Sequence, residues 1–110
     1  MAEGKNTTRN KLLGAIGLAK KAGKALLGTD VVCEAMQAGK AIFVLASGHA
    51  SENTKRRISE YSEKCGVKTV FADVGTEELG AAVGKRPLAC VGITDENFMK
   101  LIERNLCESV

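Results

Sequence analysis

Two stretches of this 110-residue chain hold the glycines and lysine that a phosphate-cradling loop uses, and neither holds them at the right spacing. The pattern GxxxxGK[ST] on a strand-to-helix turn works because backbone N–H groups, the lysine and a metal-binding hydroxyl converge on one phosphate chain. "GLAKKAGKA" (17–25) has five residues between its glycines and ends on Ala25, while "GAAVGKR" (80–86) has three and ends on Arg86. "GAIGLA" lies inside a helical pattern and follows no strand, so it is no dinucleotide fingerprint. "SGHAS" sets His49 between Ser47 and Ser51. Side chains so close in sequence rarely converge as nucleophile, base and orienter, and the chain has no GxSxG elbow. Glu77 and Glu78 suit the first turn of a helix, where the dipole favours carboxylates. Cys33, Cys65, Cys90 and Cys107 are far apart, with no CxxC and one histidine, and read as reduced thiols. No catalytic residue, no metal and no cofactor is expected.

One stretch keeps its interest. "KKAGKALLGTDVVCEA" (20–35) ends a helix on Lys20 and Lys21, adds Lys24, passes through a short strand, and opens a second helix at "GTD". A helix start carries partial positive charge and unpaired N–H groups, so Gly28, Thr29 and Asp30 form an anion-facing turn. Lysines at a helix C-terminus also suit the dipole, and Thr29 or Asp30 can serve as an ordinary N-cap. Net charge leans the same way, with 16 Lys and Arg against 13 Asp and Glu, a formal +3. That is a mild preference for polyanions.

The elements that must position this turn follow from periodicity. Leu12, Leu13, Ile16, Ala19 and Ala22 keep helical spacing up to Gly23, a natural C-cap. "KALLG" is a strand, "TDVVCEAMQAGK" a helix, and the unbroken "AIFVLA" a strand buried on both faces. Ser51 caps a helix with Thr54, Ile58, Tyr61 and Cys65 inside and Lys55, Arg56 and Glu60 outside, closed by Gly66. "VKTVFA", "TEELGAAVG" and "LACVGIT" continue as strand, helix and strand, and Phe98, Leu101, Ile102 and Leu106 mark a closing helix. Such alternation predicts a three-layer α/β/α sandwich around a four-stranded sheet. Residues 1–9 are expected to be a flexible N-terminal tail and 10–110 one domain. No apolar run nears the roughly 20 residues of a membrane span. The opening "MAEGKNTTRN" also lacks the apolar stretch of a secretory signal, so a soluble cytoplasmic protein is expected.

The series "GLAKKAGKALLGTD", "AMQAGKAIFVLA", "ASENTKRRI", "ELGAAVGK" and "ACVGITDENF" resembles the superfamily of kink-turn RNA-binding ribosomal proteins (L-seven-Ae), and within it the small bacterial YlxQ-type paralogues. The match runs from about Asn10 to Leu106. The resemblance implies a mixed sheet of order 1-4-2-3 and a non-catalytic, ribosomal-protein-like RNA-binding domain, with structured RNA and ribosomal or translation-factor proteins as partners. It places RNA at the turn after strand one and the start of the second helix, where the family pattern Gly-Thr-Asn-Glu and a later lysine fall on Gly28, Thr29, Asp30, Val31 and Glu34. It also places RNA at the loop before strand four, Lys85, Arg86, Pro87 and Leu88, flanked by Lys20, Lys21 and Lys24.

The acidic replacements change the chemistry. Guanine edges offer the acceptors O6 and N7, whereas ionised Asp30 and Glu34 only accept. Unless a water, an ion or a neighbouring lysine intervenes, the resemblance implies an RNA binder of altered specificity. The alternative is a protein–protein interaction module on the same fold that has lost kink-turn recognition. A basic stripe joining Lys20, Lys21, Lys24, Lys85 and Arg86 would favour the first reading.

Overall fold

The computed structural model describes the backbone of residues 2–84 and 86–108 and the side chains of 10–84 and 86–106. Lys85 and the Cys107 side chain, both considered above, lie outside the described residues. The elements run α1 (Ala2–Lys21), β1 (Ala25–Leu27), α2 (Thr29–Gln37), β2 (Phe43–Ser47), α3 (Glu52–Cys65), β3 (Lys68–Ala72), α4 (Thr76–Ala82), β4 (Cys90–Ile93) and α5 (Glu96–Glu108). The four strands form a mixed sheet in the order β1-β4-β2-β3. β2 and β3 are parallel, and β4 is antiparallel to both β1 and β2.

β2 shows why the chain layers as it does. All five of its residues are buried, and successive side chains point to opposite faces. Phe43 and Leu45 join Ile16, Leu79 and Ile102 in the core under α1, α4 and α5. Val44 and Ala46 join Val32, Met36 and Ile58 under α2 and α3. Each large aliphatic side chain so enclosed contributes roughly 1.5–3 kcal/mol relative to exposure. The two apolar layers fix the sheet between helices, which is the expected three-layer sandwich.

Helix α3 starts and stops where its sequence indicates. The Ser51 hydroxyl accepts from the Thr54 N–H at 3.2 Å, and Gly66 closes the helix in the left-handed region (φ 68°, ψ 31°). The beginning of the chain differs from expectation. Where a flexible tail was expected over residues 1–9, the helical backbone of α1 runs back to Ala2. A helix already nucleated by its packed segment gains one hydrogen bond for each further residue, without a second nucleation cost. Among the described residues, no helix is long and apolar enough to cross a membrane.

Candidate nucleic-acid interface

Strand directions gather three helix starts at one end of the sheet. β1, β2 and β3 all finish there and β4 begins there, so α2, α3 and α4 set out from the same end. Backbone bonds tie the connecting loops together: Ser47 N–H to Ala89 O at 2.8 Å, Gly48 N–H to Ala72 O at 2.8 Å, and Gly28 N–H to Cys90 O at 3.3 Å. Helix starts carry partial positive charge, so this end is electropositive before any side chain is counted.

The starts of α2 and α4 have no side-chain cap, whereas Ser51 caps α3. Gly28 is the N-cap of α2 at φ 101° and ψ 149°, a backbone region essentially confined to glycine. No side chain caps the helix. The first intrahelical bond is Val32 N–H to Gly28 O at 2.9 Å, so the N–H groups of Thr29, Asp30 and Val31 have no intrahelical acceptor. Two expectations are corrected here. The Gly28 N–H is not free, because it donates to Cys90 O across β1 and β4. Neither Thr29 nor Asp30 caps the helix, because each side chain is drawn elsewhere. The Thr29 hydroxyl lies against the Cys90 thiol, which burial pushes up to about 12 against the smaller opposing pull of that hydroxyl. The Asp30 carboxylate accepts from Arg57 Nη1 at 2.7 Å.

Arg57 was absent from the residues singled out by sequence. It follows Thr54 by one helical turn and precedes Tyr61 by another, on the flank of the apolar stripe of α3 that faces α2. That spacing is the signal that would have found it. Its guanidinium stands 6.0 Å from the Tyr61 ring centroid, and its side chain is 46% exposed. Asp30, Val31 and Glu34 are exposed on the same first turns of α2.

The other expected contacts are distributed unevenly. Arg86 and Pro87 are exposed in the loop before β4, at the same end as Gly28. Leu88 is half-buried against the α1, α4 and α5 core, and its N–H donates to Thr76 O at 2.9 Å. It therefore anchors that loop. Lys20 and Lys21 border an open groove of about 480 Å³ between α1 and α4, whose wall includes Gly84 at the start of the same loop. Lys24 lies apart, at the opposite end of β1, where its carbonyl accepts from the Thr94 N–H at 3.0 Å.

The residues weighed for catalysis have structural partners. Buried Ser47 donates its hydroxyl to Val74 O at 2.6 Å and accepts from the His49 N–H at 3.1 Å. The His49 ring meets Asp73 at 2.6 Å on the surface. Cys33, Cys65 and Cys90 are free thiols. Among the described residues, no group of His, Cys, Asp and Glu is disposed to hold a metal ion.

Known proteins share this architecture. A Bacillus halodurans protein of unknown function superposes with a TM-score of 0.81 at 26% identity, over 88% of this chain and 97% of that one. A Giardia lamblia 15.5 kDa RNA-binding protein superposes at 0.73 and 17% identity, over 94% and 88%, a likeness of fold. RNA-binding protein YlxQ of Enterococcus faecium is 34% identical over 92 residues, spanning 84% of this chain and 87% of the relative. YlxQ of Bacillus subtilis is 32% identical over 85 residues, spanning 76% and 82%. Residues 10–103 match the family described as ribosomal protein L7Ae/L30e/S12e/Gadd45. With its helix starts gathered around a 1-4-2-3 sheet, the chain belongs to the ribosomal protein L7Ae/L30e/S12e/Gadd45 family.

Proposed function

We propose that this protein binds structured, kink-turn-like RNA in the cytoplasm, in translation or ribosome-related work, and catalyses no reaction. The observation that carries the reading is the uncapped first turn of α2, with N–H groups free of intrahelical acceptors at the end of the sheet where three helices begin. The RNA-binding YlxQ relatives support it. The surface comprises Gly28, Thr29, Asp30, Val31 and Glu34 with Arg86 and Pro87, and Lys85 belongs to it by position in the sequence. Leu88 supports the loop from below. Lys20 and Lys21 line the separate α1–α4 groove from the last turn of α1, and Lys24 is too far round to share the contact at Gly28.

Specificity on this surface departs from the family pattern at Glu34, an acceptor one turn into α2 where the pattern has a donor. Replacing it as Glu34→Lys should tighten binding to a kink-turn RNA by roughly tenfold, the scale of one base contact. The test is a titration of the unsubstituted chain with a kink-turn RNA and with a straight duplex of the same length, at several salt concentrations. The kinked RNA should bind more tightly, with a log-log salt slope of about −3 to −4 for about four neutralised phosphates. Equal affinities, or a slope near zero, overturn the proposal. A protein–protein module is the second reading, favoured by the open groove between α1 and α4 with Leu18 exposed at its rim. It moves ahead if neither RNA binds.

A further inference from the structure

The geometry points to Arg57 as a guanine-reading side chain of this surface, a role resting on the RNA-binding function proposed above. In the family pattern a donor stands at position 30, and here that position is Asp30, which when ionised only accepts. The structure supplies a donor to the same spot from the next helix. Arg57 Nη1 lies 2.7 Å from Asp30 Oδ1, and Asp30 is its hydrogen-bonding partner among the described residues. A guanidinium carries five N–H donors in a rigid fork. One is taken by Asp30, and two adjacent ones remain to meet O6 and N7 of a single guanine, the base edge that arginine matches best.

Three features favour a base over a phosphate. The Asp30 carboxylate largely cancels the charge of the guanidinium and would itself repel a phosphate at that distance, whereas directional donors survive neutralisation. The Tyr61 ring, 6.0 Å from the guanidinium carbon, lies within cation–π reach and holds the group over the α2–α3 seam. The Arg57 side chain is 46% exposed, so a splayed nucleotide can reach it beside the open N–H groups of Thr29, Asp30 and Val31. Asp30 thereby changes role, from a failed reader to the group that aims one. As a surface ion pair alone, Arg57 with Asp30 would contribute little.

The test uses the full chain with Arg57→Gln, Arg57→Lys and Asp30→Asn, titrated against a kink-turn RNA and against copies in which one guanine at a time is 7-deazaguanine, which lacks the N7 acceptor. Arg57→Gln should weaken binding roughly tenfold or more, with the salt slope unchanged. One 7-deazaguanine position should weaken the unsubstituted chain and leave Arg57→Gln indifferent. Arg57→Lys keeps the charge and the ion pair to Asp30, so it guards against a folding defect, and it should still lose most of the discrimination because an ammonium has no fork. Asp30→Asn should give a smaller loss. Full affinity in Arg57→Gln overturns the inference. So does full discrimination in Arg57→Lys, or a loss accompanied by a slope shallower by about one, which marks a phosphate contact. If the unsubstituted chain binds neither RNA, the proposed function falls and this inference with it. Binding that ignores Arg57 removes the inference alone.

Discussion

The two ends of the sheet meet the same requirement in opposite ways. At the far end α1, α2 and α3 all terminate, with Gly23, Gly39 and Gly66 at φ 75°, 76° and 68°. There the backbone turns back on its own carbonyls: Lys24 N–H to Ala19 O at 2.8 Å, Lys40 N–H to Ala35 O at 2.9 Å, Val67 N–H to Ser62 O at 3.0 Å. At the near end side chains carry the load. Ser51 caps α3, Glu78 accepts from the Gly75 N–H at 2.8 Å at the start of α4, and Ser47 ties the β2 loop to Val74. Among the described residues, the first-turn N–H groups of α2 and α4 have no side-chain cap, and α2 alone opens on a glycine in a conformation confined to glycine. An end that closes on its own carbonyls offers a ligand little, whereas an end where helices begin can leave first-turn N–H groups for another molecule.

The strongest way to break this contrast is alkaline pH. Burial raises the Cys90 thiol to about 12 from an ordinary 9, so the folded chain holds that proton where the unfolded chain releases it. The associated stability is fully present below about pH 9 and is lost as pH rises toward 12, by about 1.4 kcal/mol per pH unit. Denaturant melts at stepped pH should show this slope, and Cys90→Ala should flatten it. Amide exchange should quicken first at Gly28, whose N–H rests on Cys90 O.

Backbone conformation sharpens the contrast next. Gly28→Asn forces a side chain into a region that only glycine occupies, costing about 1–3 kcal/mol, and should displace the start of α2 and weaken RNA binding. Gly66→Asn at the far end sits in the ordinary left-handed region that asparagine tolerates, so its melting temperature should move little. A smaller effect separates two serines. Ser47→Ala leaves the buried Val74 carbonyl without its donor and should cost about 1.5 kcal/mol, whereas Ser62→Ala, whose hydroxyl serves the partly exposed Val67 carbonyl, should cost about 0.5 kcal/mol. Equal losses in that pair would show that the near end is no more dependent on its side chains than the far end.

Much of this fold was readable from residue spacing. The unbroken apolar run through β2 and the helical stripes of α3 and α5 identify their elements because burial on two faces, or on one stripe, leaves a direct periodic trace. Strand order left no such trace. Pairing β1 with β4 joins distant segments, and the order 1-4-2-3 came from resemblance, not from periodicity. The candidate surface was half legible. Gly28, Thr29 and Asp30 were legible as the turn that opens α2, but which side chain would cap it depended on neighbours: Thr29 answers to Cys90, and Asp30 to Arg57. Arg57 shares its helical spacing with Thr54 and Tyr61, but that it meets Asp30 follows only from the packing of α3 against α2. The length of α1 was missed because a polar first segment says nothing about whether a packed helix will extend through it.

The hydrogen bond from Gly28 to Cys90 also sets an order in time. The Thr94 hydroxyl reaches back to Lys24 O across 70 residues, so β1 and β4 meet only after a long loop has closed. Contacts so far apart in the chain form late, because the entropy of closing the loop is lost before the contacts repay it. During synthesis β2, α3 and β3 are all available before β4 emerges, and their parallel pair can assemble first. The Gly28 N–H has no acceptor until β4 arrives, so the surface proposed to engage RNA is completed only with the last strand of the sheet.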